Sequence, residues 1–117
     1  MQFKQTAQKF DEFRVTEVSF LYEQDVPNER LLKDKLSQLF RQDRSIERAY
    51  LVMARLQDNS GVVLGLATRF GPEARIVKNV QSAFASVCNT KEHLDVLFLT
   101  AEQEAQLTEV CKPFFRV

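Results

Sequence analysis

The stretch SIERAYLVMARL, residues 45–56, alternates like a β-strand, yet its middle is apolar on both sides. Residues 50–53 read YLVM, so neither face of such a strand is polar at its centre. Residues 94–99, LDVLFL, repeat this two-sided pattern late in the chain. Strands of this kind are typical of sheets covered on both faces, so we expect a layered fold without an open sheet face.

Helical and strand patterns alternate through the rest of the chain. Gly71 and Pro72 favour the start of a helix, and Thr100 followed by Gln103 has the spacing of a capping box. Residues 57–61, QDNSG, have the composition of a hairpin loop. In chain order the predicted elements are strands over 14–24, 45–56, 62–70 and 94–99, and helices over 28–40, 73–90 and 101–111.

This order of elements (β-α-β-β-α-β-α) predicts an α+β fold with a four-stranded mixed sheet and helices, ferredoxin-like or a variant. We treat residues 1–117 as a single domain, with a core over 14–117 and an N-terminal amphipathic segment over 1–13 that has the pattern of an extra helix. Two strand-helix-strand crossovers would place the first two main helices on one face. The last helix, the N-terminal segment or a second subunit would cover the other. Gly65, with Ala67 on the same side of its strand, indicates clearance for a closely packed helix.

The second strand conflicts with the usual ferredoxin-like strand order. That order, four-one-three-two, puts the second strand at an edge, whereas its sequence is unusually apolar. Either the order differs or the edge is covered, and pairing with a second copy as a homodimer would cover it. Leaving the large side chains of the apolar strands in water would forgo about 1.5–3 kcal/mol each. The side chains concerned are Leu51, Met53, Leu97 and Leu99.

Composition argues against several classes of function. The 117 residues suit one globular domain, with 44% hydrophobic and 27% charged residues. Sixteen basic and sixteen acidic residues cancel, so we expect neither nucleic acid nor a membrane surface as a partner. No apolar run is long enough to span a bilayer, and the N-terminus lacks the apolar core of a secretory signal, so we expect a cytoplasmic protein.

No residue pattern indicates an enzyme, a metal site or a cofactor. His93 precedes the fourth strand without a nucleophile placed beside it by any motif, so we interpret it as a solvated loop residue. Cys88 and Cys111 lie on the apolar stripes of their helices and have the pattern of reduced core residues. Three glycines are too few for a glycine-rich phosphate loop.

Two groups of residues are candidates for binding. Arg41, Arg44 and Arg48 cluster around the start of the second strand, where Asp43 and Glu47 dilute their charge. We interpret the arginines as a solvated rim, with anion binding as the alternative. Phenylalanines at both chain ends either complete the core or form a partner-binding surface. The candidate interaction surface comprises Phe3, Phe10, Phe13, Leu51, Met53, Phe114 and Phe115.

A family resemblance is carried by several segments: Pro27 with Leu31 and Leu32, then IERAYLVMA, VVLGLA, LDVLFL and the final KPFF. Together they span about residues 25–116 and resemble the C-terminal domain of the bacterial enhanced serine sensitivity (SseB-like) protein family. The resemblance implies a bacterial cytoplasmic domain without established enzymatic chemistry. In that family the domain usually follows another domain.

The leading functional hypothesis is a non-catalytic domain that acts through protein contacts, by docking to a partner or by self-association. It rests on surplus apolar surface without reactive groups. The alternative is a regulatory module that binds a small molecule such as an amino acid, because ferredoxin-like sheets that pair edge to edge can hold such ligands between subunits.

Overall fold

The structure, a computed structural model, describes residues 18–23, 27–56, 59–88 and 94–117. Its strands are β1 Val18–Glu23, β2 Ile46–Leu56, β3 Asn59–Thr68, β4 Asp95–Phe98 and β5 Phe115–Arg116, and its helices are α1 Pro27–Arg41, α2 Ala74–Cys88 and α3 Ala101–Leu107. The α+β class with a mixed sheet is therefore confirmed. The predicted N-terminal helix lies outside the described residues.

The strand order differs from the ferredoxin-like order and resolves the conflict over β2. The sheet runs β1-β2-β3-β4, so β2 lies inside it, antiparallel to both β1 and β3, while β3 and β4 are parallel. The expected parallel crossover from β1 to β2 is wrong. β1 ends opposite Val52, partway along β2. α1 has 15 residues and a length of about 22 Å, which suffices to carry the chain onward to the start of β2.

A fifth strand, which the sequence did not predict, completes the pairing of β2. β5 pairs with Arg48 and Ala49 on β2, while β1 pairs with the other end of β2, from Val52 to Leu56. β2 is therefore paired with β3 on one edge and with β1 and β5 on the other. β2 is therefore not an edge strand, and a second copy is not needed to cover it.

The first face of the sheet packs against α1 and α2, as expected. Leu51 on β2 is fully buried in this cluster, and Met53 is half-buried against it. The helices contribute Leu32, Leu36 and Phe40 from α1 and Ile76, Val80, Ala83 and Phe84 from α2. This face contains the larger of the two cores.

The second face is covered by α3 and the turn after it, which answers the question raised by the two-sided strands. Leu107 of α3 is fully buried with Tyr50 and Leu97, and half-buried Leu99 packs against the same cluster. A Cβ atom built on Gly65 would lie 3.3 Å from both Leu107 and Leu99, so this glycine allows the close approach that its position in the sequence predicts.

The boundaries of α3, of the hairpin between β2 and β3, and of α2 are among those that differ from the predictions. The capping box between Thr100 and Gln103 is present, but α3 ends at Leu107 instead of continuing to residue 111. β3 begins at Asn59, because β2 extends to Leu56 and keeps pairing, so the hairpin connection is shorter than 57–61. Gly71 has a left-handed φ of 81°, and α2 begins only at Ala74.

Replacing Leu107 tests the packing of α3. We expect Leu107→Ala to lower the free energy of unfolding by about 2–5 kcal/mol, because it leaves a cavity over the second face. The matched control is Leu31→Ala, since Leu31 is 60% exposed on α1 and should lose only about 0.5 kcal/mol. Urea unfolding measures the free energy of unfolding of both variants. Equal small losses would contradict the packing described here.

Candidate functional site

A pocket of about 480 Å³ lies where α1 ends and β5 meets the start of β2. Its walls come from the end of α1, the turn after it, the end of β3 and the C-terminal segment. The lining residues are Phe40, Arg41, Asp43, Arg44, Arg69, Phe115, Arg116 and Val117. We refer to it as the arginine-rimmed pocket.

The apolar wall of this pocket is an aromatic pair. The rings of Phe40 and Phe115 meet edge to face with centroids 5.6 Å apart. β5 holds Phe115 in place through its pairing with β2 and through flanking bonds. The Phe114 N–H donates to the Ala49 carbonyl at 2.9 Å, and the Val117 N–H donates to the Glu47 carbonyl at 3.0 Å.

The charged wall consists of guanidinium groups. Arg41 lies in the last turn of α1, Arg44 in the turn that follows, and Arg116 in β5, and all are exposed. Within the described ranges none of these three forms an ion pair. Arg69 has a loose contact with Glu47, with Nε and Oε2 3.8 Å apart. The rim therefore carries positive charge without an equal number of carboxylates.

Asp43 is the carboxylate among the pocket-lining residues, and its acceptor oxygens are already engaged. The N–H and hydroxyl of Ser45 donate to its Oδ1 at 3.0 and 2.6 Å, and Arg75 donates to its Oδ2 at 2.7 Å. Burial alone would raise the pKa of Asp43, but the hydrogen bonds from Arg75 and Ser45 outweigh it, so the pKa is lowered. Asp43 thus organises the turn and neutralises Arg75.

Arg48, which the sequence groups with Arg41 and Arg44, has a different role. It lies on the second face and makes a two-bond contact with Glu104 of α3, one bond from Nε and one from Nη2 at 2.9 Å. The Tyr50 hydroxyl donates to the same carboxylate at 2.6 Å. These contacts fasten α3 to β2.

The pKa values of Glu104 and Tyr50 follow from these contacts and from burial. The hydrogen bond from Arg48 is the main reason that the pKa of Glu104 is lowered, with a further contribution from Tyr50. Burial first, and the bond to Glu104 second, raise the pKa of Tyr50 to about 12. The carboxylate is therefore kept ionised as part of the fold, and Arg48 is not available to a ligand.

The described members of the candidate interaction surface differ in burial and position. Leu51 is removed from it because it is fully buried under the helices, and Met53 is half-buried beside it. Of Phe114 and Phe115, both half-buried, only Phe115 lines the pocket. The three remaining candidates lie outside the described residues: Phe3, Phe10 and Phe13.

Large apolar side chains are exposed at the same end of the molecule as the pocket. Phe70, which follows the pocket residue Arg69 in the bend after β3, is 75% exposed, and Val117 is 81% exposed. Neither residue was among the binding candidates predicted from the sequence. A Gly-Pro pair directly after Phe70 was a signal, because it removes this phenylalanine from the strand and places it in a bend.

The cysteines are free thiols in apolar surroundings. Cys111 is buried in the second core, and burial, followed by the nearby charge of Glu23, raises its pKa to about 12. Burial also raises the pKa of Cys88. Thiols with raised pKa values are poor nucleophiles. His93 lies outside the described residues.

The described part of the chain contains no group of three or more histidine, cysteine, aspartate or glutamate side chains arranged to hold a metal ion. None of its helices is long and apolar enough to cross a membrane.

The fold and the pocket define a class: an α+β domain with a two-sided sheet core and a basic, aromatic-walled site at one end. Comparison with protein families identifies it further, because residues 20–116 match the SseB protein C-terminal domain. The chain therefore belongs to that family. No curated protein matches the chain, and no solved structure matches it.

The contact between Arg48 and Glu104 predicts a pH-dependent stability. Glu104→Gln should lower the free energy of unfolding at pH 7 by about 1–3 kcal/mol, because it removes a charge-assisted bond. Because the folded pKa is lowered, the carboxylate stabilises the fold above its ordinary pKa of 4.5 and loses this effect as the pH falls through the folded pKa. The difference in the free energy of unfolding between the wild type and Glu104→Gln should therefore become smaller in acid.

The control for this experiment is Glu102→Gln, the same change at an exposed position of α3. Chemical unfolding between pH 7 and pH 3 measures all three proteins. A gap for Glu104→Gln that stays constant over this range would show that its ionised carboxylate does not fasten α3.

Proposed function

We propose that this domain is a non-catalytic protein-interaction module that docks an acidic, apolar segment of a protein in the arginine-rimmed pocket. The observation that carries the proposal is the combination of the Phe40–Phe115 pair with Arg41, Arg44 and Arg116 around one concave site. Aromatic and arginine side chains are enriched where proteins bind one another. The family resemblance adds the expectation that this occurs in the bacterial cytoplasm.

The surroundings of the pocket favour a protein segment over a free small molecule. Exposed Phe70 and Val117 extend the apolar surface beyond the pocket itself. A partner protein can cover such a surface, whereas a small ligand fills only the concavity. The volume of about 480 Å³ is nonetheless within the range of small-molecule sites, so an anionic amino acid is the alternative occupant.

The charge of the rim predicts an acidic occupant. The formal net charge of the chain is zero, so the arginines are a local surplus and not part of a general positive field. Guanidinium groups bind carboxylates through paired N–H donors, and such contacts at an exposed rim are weakened by salt. We therefore expect recognition to depend on carboxylates and on ionic strength.

The same charge argues against direct self-docking of this site. A twofold contact of one pocket with the pocket of a second copy would bring the arginines of both copies face to face. Like charges across an interface oppose association. The occupant must therefore be a different segment, from a partner protein or from elsewhere in this chain.

The proposal is tested with a fluorescein-labelled peptide that combines phenylalanines with glutamates. We expect Arg44→Gln with Arg116→Gln to weaken its binding by at least about tenfold, because two carboxylate contacts are lost. Arg55→Gln is the matched control, since Arg55 is exposed at the far end of β2 and should bind the peptide as the wild type does. Fluorescence anisotropy at two salt concentrations measures the affinities.

Further peptides separate the two requirements of the pocket. Changing the glutamates to glutamine, or the phenylalanines to serine, should abolish binding in each case. Equal binding of all peptides, or equal loss in the Arg55 control, would contradict the proposed site. A thermal shift with serine or related amino acids, without any binding of the acidic peptide, would favour the small-molecule alternative.

A further inference from the structure

We propose that the arginine-rimmed pocket of one copy docks residues 10–13, FDEF, of a second copy of this chain. The inference rests on the proposed function and names the segment that occupies the site. In this segment Phe10 and Phe13 flank the carboxylates of Asp11 and Glu12. The segment lies outside the described residues, and it ends five residues before β1 begins at Val18.

The segment has the two chemical properties that the pocket requires. Its aromatic rings match the wall formed by Phe40 and Phe115. Its adjacent carboxylates match Arg41, Arg44 and Arg116 of the rim, which form no ion pair within the described residues. Pairs of aromatic rings prefer edge-to-face and offset contacts, and the wall already presents such a pair. The planar guanidinium group of arginine has paired N–H donors that match the geometry of carboxylates, so several arginines can bind two adjacent carboxylates.

The length of the chain excludes docking of the whole segment in its own pocket. β1 starts at Val18 opposite Leu56, whereas the pocket lies beyond Arg48, which pairs with Arg116. The eight residues of β2 between these points cover about 26 Å. Five residues from Phe13 to Val18 reach at most about 17 Å even when fully extended. Phe13 would stop about 9 Å short, so residues 10–13 cannot all reach the pocket of their own chain, and the proposed pocket that takes the whole segment is that of a second copy.

Docking between copies gives a defined assembly. When each copy inserts its segment into the pocket of the other, the two contacts are related by a twofold axis and the assembly closes as a dimer. This arrangement opposes arginines with carboxylates at both contacts. It therefore avoids the repulsion that a pocket-to-pocket dimer would suffer.

The experiment reverses the charge of the pocket in one variant of the 117-residue chain and the charge of the docking segment in another. One variant carries Arg44→Glu with Arg116→Glu, and the other carries Asp11→Lys with Glu12→Lys. Sedimentation velocity over micromolar to near-millimolar concentrations measures association of each protein alone and of the two mixed. We expect the wild type to dimerise and each variant alone to dimerise at least about tenfold more weakly. The mixture should form a dimer again, because both of its contacts place opposite charges together: native carboxylates with native arginines, and introduced lysines with introduced glutamates.

Changing the residues that flank the segment should strengthen dimerisation, whereas the charge reversals weaken it. Lys9 and Arg14 bring positive charge next to the arginine rim. Replacing both with glutamine should strengthen dimerisation, by about two- to fivefold, because it removes repulsion at an exposed site. Arg55→Gln is again the control and should leave dimerisation unchanged. Thermal melts of every variant confirm that each protein is folded before its association is measured.

The outcomes distinguish this inference from the proposed function. The docking of residues 10–13 is overturned if the wild-type protein stays monomeric. It is also overturned if the charge-reversed variants dimerise as strongly as the wild type. If the labelled acidic peptide still binds at the arginines in that case, the proposed function stands with another protein as its source. If the peptide does not bind either, both proposals are overturned.

Discussion

The burial of β2 on every side is the constraint on which the rest of the structure depends. Its side chains are apolar on both faces, and its backbone donors and acceptors need partners along both edges. The helices α1 and α2 cover the face that contains Leu51, and α3 covers the face that contains Tyr50. β3 pairs along one edge, and β1 and β5 share the other. Each remaining element thus contacts β2 or supports one that does.

The arginine-rimmed pocket is a consequence of how the shared edge is completed. β1 stops opposite Val52, which leaves the first residues of β2 without a partner on that side. β5 fills part of this gap, and in doing so it places Phe115 against Phe40 at the end of α1. The basic residues of the helix end and of β5 then surround the aromatic pair. A basic, aromatic-walled pocket therefore arises where a structural requirement of the sheet is met.

Local patterns predicted the parts of this fold that depend on neighbouring residues. The capping box at Thr100, the close approach at Gly65 and the two-sided burial of β2 all follow from short spacings in the sequence. Strand order does not follow from such spacings, because the pairing of β1 with β2 joins segments that are far apart in the sequence. β5 was missed because its two residues are too few to show an alternation.

The candidate site was predicted only in part, for a similar reason. Arg41 and Arg44 were noted as a possible anion site, but Arg48 was grouped with them because it is close in sequence. Its position two residues before Tyr50 places both on the same face of β2, and that spacing was the available signal that it belongs with α3. Phe115 was a candidate, whereas its contact with Phe40 required the position of β5, which no local pattern supplies.

The late position of β5 has a consequence for protein synthesis. One half of the aromatic wall, together with Arg116, is translated at the end of the domain and is placed only after β5 pairs with β2. A nascent chain that still lacks these residues can begin to bury its sheet core, but its pocket is incomplete. The aromatic wall therefore forms only after the last strand of the domain has been synthesised and has paired with β2.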